Sequence, residues 1–263
     1  NDGYKKAKFE AHNALFWMAR GANSFLEPAE GNVHLDLCWH YDGQILSTGV
    51  FDGDLQIGLS LPELEMFFLQ NGEKVKHSFW FDDRTPAFAE AWYLVELLHR
   101  DRDRSKFSVD LPFTCTNMLF GDTEEHEASL VSTELQAIHD MVIFTALVFE
   151  SVEKSFGLQD SGVHNKLHCS PESFNFQQSF ACRGTKGATA TLGLSVGDEL
   201  RSTPFYFVTE PNTVCGGYRH PLDYDPNSIL SLEVICRDRM SLTDITENLL
   251  KKVTNLGQVY SVS

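Results

Sequence analysis

The chain has 263 residues, 42% hydrophobic and 22% charged, enough to bury a substantial core as one large domain or two smaller ones, and a composition that excludes general disorder. Its 37 acidic against 21 basic side chains give a formal charge of −16, which repels nucleic-acid phosphates and anionic lipid, so neither nucleic acid nor membrane is an expected partner. The longest apolar stretch, Met141 to Phe149, falls well short of the roughly 20 residues a bilayer span requires. Six cysteines, with no CxxC pair, are expected as reduced thiols, and with no N-x-S/T sequon present the expected location is the cytoplasm.

Alanines 7, 11 and 14 with Leu15 and Met18 recur at helical spacing, predicting a first helix from Tyr4 to Arg20 with Lys5, Lys6, Lys8 and Glu10 in solvent and Gly21 as its stop. Two β-prone runs, Val33 to Tyr41 and Gln44 to Phe51, flank Asp42-Gly43, a hairpin signal. Leu55, Ile57 and Leu59 alternate as a third strand, and His77 to Phe81 is expected as a further one. Thr85 then caps a helix with Pro86 at its first position, where a missing N–H costs nothing. Phe88, Trp92, Val95 and Leu98 line one face of that helix, and Phe107, Val109 and Leu111 alternate in a closing strand.

The acidic stretch Gly121 to Glu127 is the expected linker between two halves, 1–120 and 128–263, packed as one globular unit. Beyond it Thr133 and Gln136 have capping-box spacing for a long helix to Phe156, stopped by Gly157. Four strands follow: Phe174 to Cys182, Ala190 to Val196, Phe205 to Val208 and Ile229 to Cys236. Ser241 and Asp244 cap a last helix carrying Leu242, Ile245, Leu249 and Val253, and Gln258 to Val262 closes as a strand. The fold class is therefore α+β: two similarly organised halves, each a largely antiparallel sheet with a preceding long helix and a strand-helix-strand ending, read as an internal repeat.

Four segments, LFWM at Leu15 to Met18, NVHLDLCWHYDGQILSTGV at Asn32 to Val50, HCSPESFNFQQSFACRG at His168 to Gly184 and GLSVGDELRSTPFYFVTEP at Gly193 to Pro211, occur in an order that resembles an uncharacterised bacterial family, a domain of unknown function. The resemblance matches Trp17 to the family's first-helix Trp, and Ser170-Pro171 to its later Ser-Pro. The family's following His, Trp and Asp are replaced here around Ser173, Phe176 and Ser179. What the resemblance implies is an architecture, with no activity to carry over.

His34, Asp36, Cys38 and His40 alternate, so on a strand they share one face opposite Val33, Leu35, Leu37, Trp39 and Tyr41. Each can ligate a metal, but the array spans roughly 20 Å at about 3.3 Å per residue; no site is expected to assemble on it, and the purified protein is expected to contain no stoichiometric metal. The long connection from Glu210 to Asn227 carries Tyr218, Arg219 and His220, with Gly216-Gly217 permitting close backbone approach; Arg219 suits a carboxylate and His220 proton exchange. His164, His168 and Cys169 are read as locally structural. No P-loop, GxGxxG after a strand, HExxH, GxSxG or EF-hand pattern occurs, so no cofactor and no catalytic residue is assigned. The expected ligand site is a cleft between the halves that binds a small molecule, drawing on Trp17, His34, Asp36, His40, Tyr218, Arg219 and His220. The alternatives are a non-catalytic interaction module whose acidic surface selects a basic protein and, below it, a metal-dependent enzyme.

Overall fold

In the computed structural model, which describes residues 2–115, 117–156, 167–181, 189–198, 200–209 and 226–259, the alanine stripe forms the buried face of a helix longer than its sequence signals suggest. This helix, α1, runs Asp2–Phe25 and passes through Gly21. A Cβ on Gly21 would stand 2.1 Å from Ile57 Cδ1 and 2.9 Å from the Tyr93 hydroxyl, so the glycine serves close packing rather than termination. Glu10, expected in solvent, is buried against His126.

The chain forms two compact units, residues 1–140 with 169–174, and residues 141–168 with 175–263. In the first unit the strands are β1 (Leu37–His40), β2 (Ile45–Ser47), β3 (Leu55–Ser60), β4 (Glu65–Gln70), β5 (Glu73–Lys74) and β6 (Phe79–Trp80). They pair antiparallel in the order β1-β2-β3-β4-β5, with β6 also on β4 and Cys169 and Ser170 of β7 (His168–Ser170) beside β1. The hairpin forms as expected with shorter strands: His40 pairs Ile45, and the residue in the left-handed region is Gln44, at φ 51°, rather than Gly43.

Helix α2 (Pro86–His99) starts where Thr85 and Pro86 place it, although the Thr85 hydroxyl makes no capping bond and is buried without a partner among the described residues. Its buried face is Pro86, Ala89, Tyr93, Glu96 and Leu97, which leaves Phe88, Val95 and Leu98 facing outward. Tyr93 anchors α2 to α1 by donating its hydroxyl to the Trp17 carbonyl at 2.8 Å.

The expected strand over 107–111 does not form. Its carbonyls are taken instead by α1 side chains, Arg20 Nε to Val109 at 2.9 Å and Asn23 to Asp110 at 3.2 Å. Gly121 to Glu127 lie inside the first unit, tied in by a parallel bridge between Asp82 and His126 and by the bond from Glu127 N to Glu10 Oε1.

Helix α3 (Ser132–Phe156) follows a 3-10 turn over Ala128–Val131, and Gln136 donates to Asp140 further along the helix, so Thr133 and Gln136 are not a capping box. By length and composition alone Ala128–Ser155 would suffice to cross a membrane, a span that the uninterrupted apolar run understates; half of its apolar window is buried within the protein.

In the second unit β8 (Asn175–Ala181), β9 (Thr189–Ser195), β10 (Phe205–Thr209) and β11 (Ile229–Ser231) pair antiparallel in that order. α3 meets β10 through Phe149, whose ring lies 6.1 Å from Tyr206, and through Thr145, 3.1 Å from the Tyr206 hydroxyl. The run after Ser231, expected as strand, is instead α4 (Leu232–Arg237), begun by Ser231 accepting from Val234 N at 3.3 Å. The Ser241/Asp244 box opens α5 (Leu242–Val259) reciprocally, with Ile245, Leu249 and Val253 buried. That helix runs through Gln258 and Val259, and 260–263 lie outside the described residues. Both units are α+β with antiparallel sheets.

Gly193 faces Phe207 across β9 and β10, and a Cβ there would meet ring carbons at 1.9, 2.3 and 2.4 Å. Phe207 is 2% exposed and has little room to yield. Gly193→Ala is expected to destabilise the second unit by about 1–3 kcal/mol through overpacking. Urea unfolding measures this, and a loss under about 0.5 kcal/mol would mean the ring relocates freely.

Candidate metal centre

Helix α2 places Trp92, Glu96, His99 and Arg100 along adjoining rows, because positions three, four, seven and eight apart return to neighbouring azimuths. Glu96 is the centre of the group. Its side chain is only 3% exposed, and burial of a carboxylate requires compensation. Arg100 supplies it, with Nη1 donating to Glu96 Oε2 at 2.6 Å and to the Glu96 carbonyl at 2.8 Å, while its guanidinium lies over the Phe68 ring at 4.8 Å. The other carboxylate oxygen, Oε1, lies 3.2 Å from His99 Nδ1 and 3.5 Å from His77 Nδ1. The carboxylate is thus divided: one oxygen neutralised by the arginine, the other directed at two imidazoles.

His77 reaches the group from the connection between β5 and β6. Its backbone is left-handed at φ 71°, a conformation that costs a non-glycine residue on the order of 1 kcal/mol or more and persists only where its surroundings hold it. Trp92 provides part of that hold by donating its indole N–H to the His77 carbonyl at 2.8 Å. One helix therefore both carries two of the three side chains and pins the loop that carries the third.

The donor atoms of His77, Glu96 and His99 all lie within 4.8 Å of one another. For a tetrahedral ion bonded at about 2.0–2.1 Å, ligand atoms are separated by about 3.3 Å, close to the 3.2 and 3.5 Å from Glu96 Oε1 to the two imidazoles. The two imidazoles are 64% and 51% exposed, free to make the remaining adjustment, whereas the carboxylate is fixed. An open pocket of about 400 Å³ surrounds the group, lined also by Gln70, Val75, Lys76 and Arg100.

The residues singled out in the sequence are not brought together. Trp17 is 3% exposed within α1, under the Arg20 guanidinium at 4.2 Å and beside Tyr93, a packing position. His34 lies in a 3-10 turn (Glu30–Leu35), where Nδ1 accepts from Ala29 N at 3.2 Å, and Asp36 ends that turn, so only Cys38 and His40 share a strand. The alternating-face array of four is thereby corrected: Gly31 and Asn32, both at positive φ, curl the chain before β1 begins. His40 Nε2 sits 2.6 Å from the Ser47 hydroxyl across the hairpin. Tyr218, Arg219 and His220 lie outside the described residues.

Asp36 instead belongs to a second titratable group in the first unit. Burial, reinforced by Glu172, pushes its carboxyl up to about 7; burial, reinforced by Asp36, pushes the Cys169 thiol well above its usual range. His12, whose Nε2 lies 2.7 Å from the Pro171 carbonyl, is held down to about 4 by burial. A thiol so protonated is no nucleophile at neutral pH, in keeping with a structural role for Cys169.

The grouping of His77, Glu96 and His99 is not legible in the sequence, because His77 comes from 19 residues before Glu96 with no spacing rule to connect them. The signal that was present is Glu96-x-x-His99, a carboxylate and imidazole three apart on a helix. No family model matches the chain, and no curated protein or solved structure matches it.

Proposed function

We propose that the first unit binds a divalent transition-metal ion through His77 Nδ1, Glu96 Oε1 and His99 Nδ1, with the remaining coordination position open to a small molecule from the pocket. The observation that carries this reading is the buried, arginine-oriented Glu96 carboxylate presenting one oxygen to two exposed imidazoles at 3.2 and 3.5 Å. A mixed imidazole and carboxylate set suits zinc and its neighbours rather than calcium or magnesium, which take oxygen donors. Three protein ligands with an open fourth position are the pattern of a site that meets exogenous ligands, whereas closed four-ligand sites are structural. Arg100 on the second oxygen is the outer partner that orients the carboxylate.

Metal-free protein is expected to take up about one zinc ion per chain in isothermal titration calorimetry. His77→Ala and His99→Ala, both at exposed positions where folding is little affected, are each expected to weaken binding by about 100-fold or more, beyond the 10–100-fold typical of losing an outer partner. Unchanged affinity in the double variant would locate the ion elsewhere, and absence of uptake by the unmodified chain would end the reading.

A further inference from the structure

We infer that the open position of this centre is built for an anionic oxygen ligand, a carboxylate or phosphate group, bridging the metal and Arg100. This rests on the metal reading above and names the class of ligand.

The pocket's charge is the first argument. The protein as a whole carries −16, yet the ionisable side chains among those lining this depression are Lys76, Arg100, His77, His99 and Glu96, with Glu96 the sole acid among them. A bound divalent ion adds two further positive charges, while Glu96 is already shared between that ion and Arg100. Excess positive charge at one place on the surface of an acidic protein attracts an anion there.

Arg100 supplies the second argument. The guanidinium's bonds to protein go through Nη1, both to Glu96, and Nε is closed off from solvent, so among the described residues Nη2 is the donor left for a ligand. A guanidinium carries five N–H donors in a rigid planar fork suited to carboxylate and phosphate oxygens. Its plane is held by Phe68 at 4.8 Å, so the fork is oriented before any ligand arrives. The third argument is reach: Arg100 bonds one oxygen of Glu96 and the proposed ion the other, so a second oxyanion beside Glu96 meets metal and guanidinium together.

The test uses the full chain loaded with Co²⁺, whose visible bands report changes in coordination. Titration with inorganic phosphate and, separately, with acetate is expected to shift the bands at millimolar concentration, while chloride at matched ionic strength leaves them in place. A response to phosphate alone identifies a phosphoryl-bearing ligand, and to both, any oxyanion. Arg100→Gln is expected to raise the concentration needed by about 10-fold or more, the range of a charge-assisted hydrogen bond, with partial recovery in Arg100→Lys. Lys76→Ala, an exposed position remote from the core, is expected to raise it about 3-fold, a charge effect that requires no refolding. Absent cobalt bands overturn the metal reading and this inference together. Bands that form but respond to neither anion overturn this inference alone, as do Arg100→Gln and Lys76→Ala proteins that both titrate like the unmodified chain.

Discussion

Glu10→Ala is expected to destabilise the first unit by about 1–3 kcal/mol, the usual consequence of leaving the partner of a buried hydrogen bond unsatisfied. Glu10 and His126 are 3% and 1% exposed, and Nδ1 lies 2.6 Å from Oε2. Glu10 Oε1 also accepts from Glu127 N at 3.2 Å, while His126 is bound through its main chain to Asp83 and Arg84 and packs edge-on to Phe81 at 4.9 Å. Its Nε2 is buried with no acceptor or donor among the described residues, so the Glu10 carboxylate is the imidazole's one hydrogen-bonding partner there. Truncating Glu10 leaves that ring wholly unsatisfied. Replacing both, as in Glu10→Met with His126→Leu, is expected to recover much of the loss, because an apolar pair carries no desolvation cost. Denaturant unfolding of the two singles and the double measures the coupling. Singles that each cost under about 1 kcal/mol would show that water reaches the pair.

Asp36→Asn is expected to remove a pH dependence and to stabilise the protein above neutrality. The Asp36 carboxyl titrates near 7 in the folded chain against 3.8 when free, chiefly because burial disfavours its charge and secondarily because of Glu172. Between these values the folded state holds a proton that the unfolded state has released, so stability falls as pH rises from about 4 to 7, and the whole penalty is present above 7. At about 1.36 kcal/mol per pH unit the upper bound is about 4 kcal/mol; the side chain is partly solvent-accessible, and about 2–4 kcal/mol is expected. Asparagine keeps the shape without the charge. The difference in unfolding free energy between the variant and the unmodified protein, measured at pH 5 and pH 8, should grow with pH. A difference that is flat across that interval would sink the assignment.

Elements whose signals are local were legible. The Asp42-Gly43 hairpin, the Thr85-Pro86 helix start, the Ser241/Asp244 capping box and the Phe176/Phe180 and Leu192/Leu194 parities each depend on residues a few positions apart, and each is present. Gly21 and the run from Leu232 to Arg237 misled for a common reason. A glycine reads as a stop until Ile57 and Tyr93 are seen against it, and a β-branched run reads as strand until Ser231 caps a helix there. Local preference amounts to tenths of a kcal/mol per residue, and packing overrides it.

The candidate centre divides along the same line. Composition and periodicity were enough for the α+β class and for a helix from Pro86 that carries Glu96 and His99 three residues apart. What they could not convey is that Glu96 turns inward, that Arg100 takes one of its oxygens, and that His77 arrives from another segment with its carbonyl held by Trp92. Helical spacing is a property of the chain and is written in it; convergence of donors on one point is a property of the folded surface, created when residues 19 apart are brought to 3.5 Å by contacts that no periodicity encodes.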